Sequence, residues 1–116
     1  MIRVLIVDDH DLFRAGISRL LELVEDIEVV AEAGTGRDAI ALCREHNPDV
    51  MLLDMTLPDT DGLEVTRQAV TLFPKTKVLV LTMHDNEEYA MRLMQAGAMG
   101  FLVKGITPRE LPEAIR

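Results

Sequence analysis

Val50-Met51-Leu52-Leu53 is an unbroken apolar run that stops on Asp54 and then on the turn-forming stretch Met55-Thr56-Leu57-Pro58. A run this short is strand-length. Lacking polar alternation, it suits a strand buried on both faces, as in a parallel sheet covered by helices. Four more runs of the same kind flank it: Val4-Leu5-Ile6-Val7 and Val29-Val30-Ala31 before it, Val78-Leu79-Val80-Leu81 and Phe101-Leu102-Val103 after it.

The segments between these runs carry helical spacing. Phe13, Ile17, Leu20, Leu21 and Val24 form one stripe on a helix opening near Asp11. A second helix is predicted from Gly36 to His46, with Ala39, Ile40 and Cys43 inward and Pro48 as its stop. A third is predicted from Asp61 to Leu72, with Val65, Ala69 and Leu72 inward, and a fourth from Asn86 to Ala96, with Ala90, Leu93 and Met94 inward and Gly97 as terminator. Thr107-Pro108-Arg109-Glu110 has the composition of a capping box, but Pro112 predicts a distorted or late-starting last helix that runs out at Arg116. Alternation of strand and helix throughout specifies a doubly wound α/β fold with a five-stranded parallel sheet. At 116 residues the chain is expected to be one domain, 1–116.

Composition narrows the function classes. A net charge of −8 argues against nucleic acid binding through this surface, because phosphate contacts need a basic patch. Without eighteen consecutive apolar residues or a basic, apolar and cleavable leader, the chain is expected to be cytoplasmic, with no membrane contact. Cys43 is the single cysteine, which excludes an internal disulfide and a multi-cysteine metal site and fits a small buried side chain.

Doubly wound sheets bind ligands beyond the carboxyl ends of their strands. There the first run ends in Asp8-Asp9, the third in Asp54, the fourth in Thr82 and the fifth in Lys104. Taken singly, Asp9 or Thr82 could equally be a helix-capping residue. If the first and third strands are neighbours, however, Asp8, Asp9 and Asp54 converge, and their repulsion calls for a cation. A set of oxygen ligands favours Mg²⁺. Lys104 adds a mobile positive charge and Thr82 a hydroxyl, both suited to a phosphoryl group, which makes Asp54 the candidate nucleophile.

Val-Asp-Asp-His at 7–10, Leu-Leu-Asp-Met-Thr-Leu-Pro at 52–58 with Asp61-Gly62, Leu-Thr-Met at 81–83 and Gly-Phe-Leu-Val-Lys at 100–104 together resemble the receiver domain of two-component response regulators. The wording of 81–84 and of Gln95-Ala96-Gly97-Ala98 is similar to the NarL/FixJ branch. The resemblance implies a CheY-like, flavodoxin-type strand order 2-1-3-4-5. It further implies that Asp54 accepts a phosphoryl group from a sensor histidine kinase, with Mg²⁺ held by Asp8, Asp9, Asp54 and the backbone carbonyl of Thr56. Lys104 would pair with the phosphoryl oxygen, Thr82 and Phe101 would be the switch residues, and Thr56 and His84 would tune the lifetime. Such a domain is no enzyme beyond its own phosphorylation and dephosphorylation. It is expected to dimerise on phosphorylation and to reach DNA only through a C-terminal helix-turn-helix output domain, absent from these residues. Gly105, where many relatives have proline, and Pro112 depart from the pattern.

Blander readings compete at several positions. His10 and His84 flank the acidic residues as solvated or packing side chains, His46 belongs on the surface, and Met51, Met91 and Met94 fit core or helix-face packing. Gly34-Thr35-Gly36 follows the second run and lacks the later glycine of a dinucleotide loop. Two alternatives stand beside the receiver. A haloacid-dehalogenase-type phosphatase would need a second acid where Thr56 stands, and a pseudo-receiver would bind partners without phosphorylation.

Overall fold

A computed structural model describes residues 1–82, 87–103 and 110–115. Its elements alternate as β1(Ile2–Val7), α1(Asp11–Glu22), β2(Ile27–Ala33), α2(Gly36–His46), β3(Val50–Asp54), α3(Gly62–Leu72), β4(Lys77–Thr82), α4(Glu87–Ala96), β5(Gly100–Val103) and α5(Glu110–Ile115). The strands form one parallel sheet in the order β2-β1-β3-β4-β5, as expected.

Period-two alternation along the strands divides the apolar residues between two cores. Leu5, Val7, Met51, Leu53, Val78 and Val80 join one with Ala39 and Cys43 of α2, Val65 and Ala69 of α3, and Leu93 of α4. Val4, Ile6, Val50, Leu52, Leu79 and Leu81 join the other with Leu21 of α1 and Leu111 and Ile115 of α5. The sheet thus has helices on both faces, and every residue of β3 is buried. Burial on both faces does not extend to the edges. Strand β2 exposes Glu28 and Glu32, charges that discourage pairing with another strand, and β5 is only half-buried.

The helix boundaries have local causes. Thr35 and Asp61 sit in extended conformation and accept hydrogen bonds from the N–H groups of Asp38 at 3.1 Å and Glu64 at 2.9 Å, so Asp61 is the cap of α3 and not its first residue. Asn47, at φ 48°, terminates α2 in the left-handed conformation before Pro48 is reached. Gly97, at φ +107°, ends α4, and a Cβ there would lie 2.8 Å from Val70 Cγ2.

Two inward assignments, Leu72 and Met94, and the packing role read for Met91 are corrected. Leu72 is exposed, because α3 stops there and Phe73 turns back against the core in its place; buried Thr66, whose hydroxyl donates to Gly62 O at 2.7 Å, shares the inner face with Val65 and Ala69. Met91 and Met94 are exposed, because α4 buries only a narrow stripe centred on Leu93. Met51 is in the core as read. Within the described span of α5, Pro112 is the third residue and is buried. The capping sequence at 107–109 and Gly105 lie outside the described residues.

Candidate functional site

The order of strands reverses between β1 and β3, and their register decides what meets there. Val7 pairs with Leu53, so Asp8 and Asp54 leave the sheet level with each other. Asp54 in turn pairs with Leu81, one residue before Thr82, and Thr82 pairs with Val103, one residue before Lys104. The parallel ladder therefore carries Asp8, Asp54 and Thr82 to one rim of the sheet.

Asp8, Asp9, His10 and Asp54 each offer a ligand atom, all within 4.8 Å of one another. Asp8 and Asp54 are 2% and 4% exposed, whereas Asp9 and His10 stand at the mouth. Asp8 is held through its main chain, its N–H donating to Ala33 O at 2.9 Å. Its Oδ1 accepts the His10 N–H at 2.8 Å, and the His10 ring sets Nδ1 3.4 Å from an oxygen of both Asp8 and Asp9. Two buried carboxylates drawn together at the end of a sheet repel each other in a poorly solvated place, and a hard cation relieves that repulsion. The oxygen-rich donor set fits Mg²⁺, which keeps several of its waters. His10, read as a bystander, adds a nitrogen to the group, and its position directly after the acid pair was the available signal.

The connection from β3 to α3 is a tight loop. Thr56 bridges to Asp61, the Leu57 N–H donates to Thr60 O at 3.2 Å, and the Gly62 N–H donates to Met55 O at 2.7 Å. Gly62 permits this return, since a Cβ there would lie 3.0 Å from both Asp54 O and Met55 Cα. The turn keeps exposed Thr56 beside the end of β3. Asp59 ties the same loop to a second helix, accepting the N–H groups of Gly36 at 2.9 Å and Arg37 at 3.0 Å. Those two bonds hold its carboxyl below the usual range. Gly36 lets the loop approach, because a Cβ there would fall 2.3 Å from Thr60 Cγ2.

Of the other expected site residues, Thr82 is half-buried at the end of β4, and Phe101 is half-buried and packs against the core beneath α2, α3 and α4. Lys104 and His84 lie outside the described residues. Asp59 and Arg14 were not singled out from the sequence. Asp59 looks like an ordinary residue of a proline turn, and its partners are 22 and 23 positions away. Among the described residues no helix is long and apolar enough to cross a membrane.

The family model described as response regulator receiver domain matches residues 4–116. Response regulator UvrY of Escherichia coli (strain K12) is 47% identical over 116 residues, covering 100% of this chain and 53% of that protein. Transcriptional regulatory protein DegU of Brevibacillus brevis is 41% identical over 115 residues, covering 99% and 49%. The chain spans about half the length of the curated relatives it matches. Among solved structures, the signal receiver domain of NarL from Mycobacterium tuberculosis superposes with a TM-score of 0.94 at 39% identity, covering 98% of this chain and 92% of that one.

Proposed function

Since the chain belongs to the response regulator receiver domain family, we propose that Asp54 is its phosphoacceptor, taking a phosphoryl group from a histidine of a sensor kinase. The haloacid-dehalogenase alternative is set aside, because the family match runs over residues 4–116. The observation that carries the proposal is the convergence of Asp8, Asp9 and Asp54 at the reversal of strand order, with Asp54 ending the buried central strand.

A carboxylate oxygen of Asp54 bonds to phosphorus while the phosphorus–nitrogen bond of the donor breaks. Asp8, Asp9, Asp54 and the Thr56 carbonyl would hold Mg²⁺, which supplies neutralisation of the phosphoryl oxygens. Lys104 pairs with one of those oxygens, and Thr82 donates its hydroxyl to another. Thr56 and His84, each two residues beyond a site residue, set how readily water reaches the acyl phosphate and so how fast the domain dephosphorylates itself. Phosphorylation adds about two negative charges to the pocket. Thr82 and Phe101 respond, alter the face built from α4, β5 and α5, and promote pairing of two copies. The similarity to DegU, a transcriptional regulatory protein, supports an output on transcription, with DNA contact made outside these residues. Function inside the cytoplasm follows from the same reading.

Intact-protein mass after incubation with acetyl phosphate and Mg²⁺ tests the acceptor. The expected result is a single phosphoryl adduct, lost in Asp54→Asn and on chelation of the metal. No adduct at short times, with a phosphorylated kinase fragment as donor as well, would leave the chain a pseudo-receiver that binds partners unmodified.

A further inference from the structure

Arg14 lies one turn into α1 and binds three residues, two of them outside its own helix. Its Nη1 donates to the Asp8 carbonyl at 2.6 Å, its Nη2 to Asp11 Oδ1 at 3.0 Å, and its Nε lies 3.3 Å from Glu32 Oε1 at the end of β2. Glu32 is itself steadied by buried Ser18, whose hydroxyl donates to Oε2 at 3.2 Å. The side chain of Arg14 is largely buried. Gly34 makes room for it, since a Cβ there would lie 3.3 Å from Nη1. That gives the first glycine of Gly34-Thr35-Gly36 a role unconnected with any nucleotide.

Building on the metal-dependent reading above, we propose that Arg14 is a positioning residue that orients the Asp8 carboxylate toward the cation through the Asp8 main chain. The carbonyl of Asp8 is held by Arg14, its N–H by Ala33 O and its Oδ1 by the His10 N–H. With the peptide pinned at those points, the turn from β1 to α1 presents the carboxylates of Asp8 and Asp9 in one arrangement, and the cation binds without first having to order them. Arg14 acts by its shape. Its charge faces Asp11 and Glu32, both exposed, so the field reaching the cluster is largely offset and screened by solvent. A lysine keeps the charge but is a single point that cannot hold all three partners in one plane. Charge and shape therefore predict opposite results, because removing a cation near a metal site would by itself strengthen Mg²⁺ binding.

The test is calorimetric titration of the unphosphorylated chain with Mg²⁺ for wild type, Arg14→Met and Arg14→Lys, with amide hydrogen exchange at Asp9 and His10 in metal-free protein. Arg14→Met is expected to weaken binding about tenfold, as loss of an outer partner of a metal ligand does. Arg14→Lys should weaken it to a similar extent, and both should speed exchange at the turn. Unchanged or tighter binding in Arg14→Met, or wild-type affinity in Arg14→Lys, would overturn the inference. If Arg14→Met does not fold, Arg14→Lys carries the test alone. A wild-type chain that neither binds Mg²⁺ nor takes a phosphoryl group would overturn the underlying reading instead, and the inference with it.

Discussion

Asp59 shows how one side chain joins two parts of the site. Its carboxylate caps α2 from the loop that follows Asp54, so two hydrogen bonds tie the β3–α3 connection to the start of α2. Because the two N–H donors hold its folded pKa below the ordinary value of about 4, the cap contributes fully above that value and is lost as pH falls through the folded pKa. Asp59→Asn keeps one acceptor oxygen and cannot titrate. The gap in urea midpoint between wild type and Asp59→Asn should accordingly be present at about pH 7 and narrow as pH falls below about 4. A gap that stays constant over that range would show that the two bonds do not depend on the charge. Asp8 and Asp54 were legible as site residues because strand ends are local patterns. The roles of Asp59 and Arg14 were not, since each depends on a partner that only the folded chain brings near.

At the scale of elements, α4 separates what helical spacing can and cannot decide. Spacing picks out a stripe that includes both Leu93 and Met94, but Leu93 is 1% exposed and Met94 50%. The stripe is too coarse because successive residues differ by only about 100° around a helix, while α4 buries a contact little wider than one side chain. Leu93→Ala should cost about 2–5 kcal/mol in chemical denaturation through the cavity it leaves, whereas Met94→Gln should stay within about 0.5 kcal/mol. Comparable losses for the two would mean that the exposed face of α4 is covered in solution. The same narrowness explains Leu72, whose place over the core is taken by Phe73 once α3 has ended. The apolar runs, by contrast, foretold where all five strands lie, because an unbroken apolar run leaves no ambiguity of phase, even for β2 and β5, which are buried only in part.

For the molecule as a whole, the proposed switch needs the pocket at the end of β3 to be felt on the far side of β4. Thr82 ends β4 in register with Val103 of β5, which places it between the acceptor and the face formed by α4, β5 and α5. Thr82→Ala is expected to leave Asp54 able to take a phosphoryl group while abolishing phosphorylation-dependent association, measured by sedimentation of the two phosphorylated forms. Retention of that association in the variant would remove Thr82 from the coupling. The sequence by itself determined the alternation of strand and helix, the doubly wound class and the acids that end β1 and β3, because these are written in short-range periodicity and in the residue types at element ends. Motif resemblance supplied the strand order 2-1-3-4-5, which periodicity alone does not contain. Only the tertiary structure decided which carboxylates meet within 4.8 Å, that His10 stands among them, that Arg14 and Asp59 brace the two loops around them, and which members of each apolar stripe face solvent. Those outcomes depend on strand register and on the close approach permitted at Gly34, Gly36 and Gly62, contacts between residues far apart in the chain that no local pattern encodes.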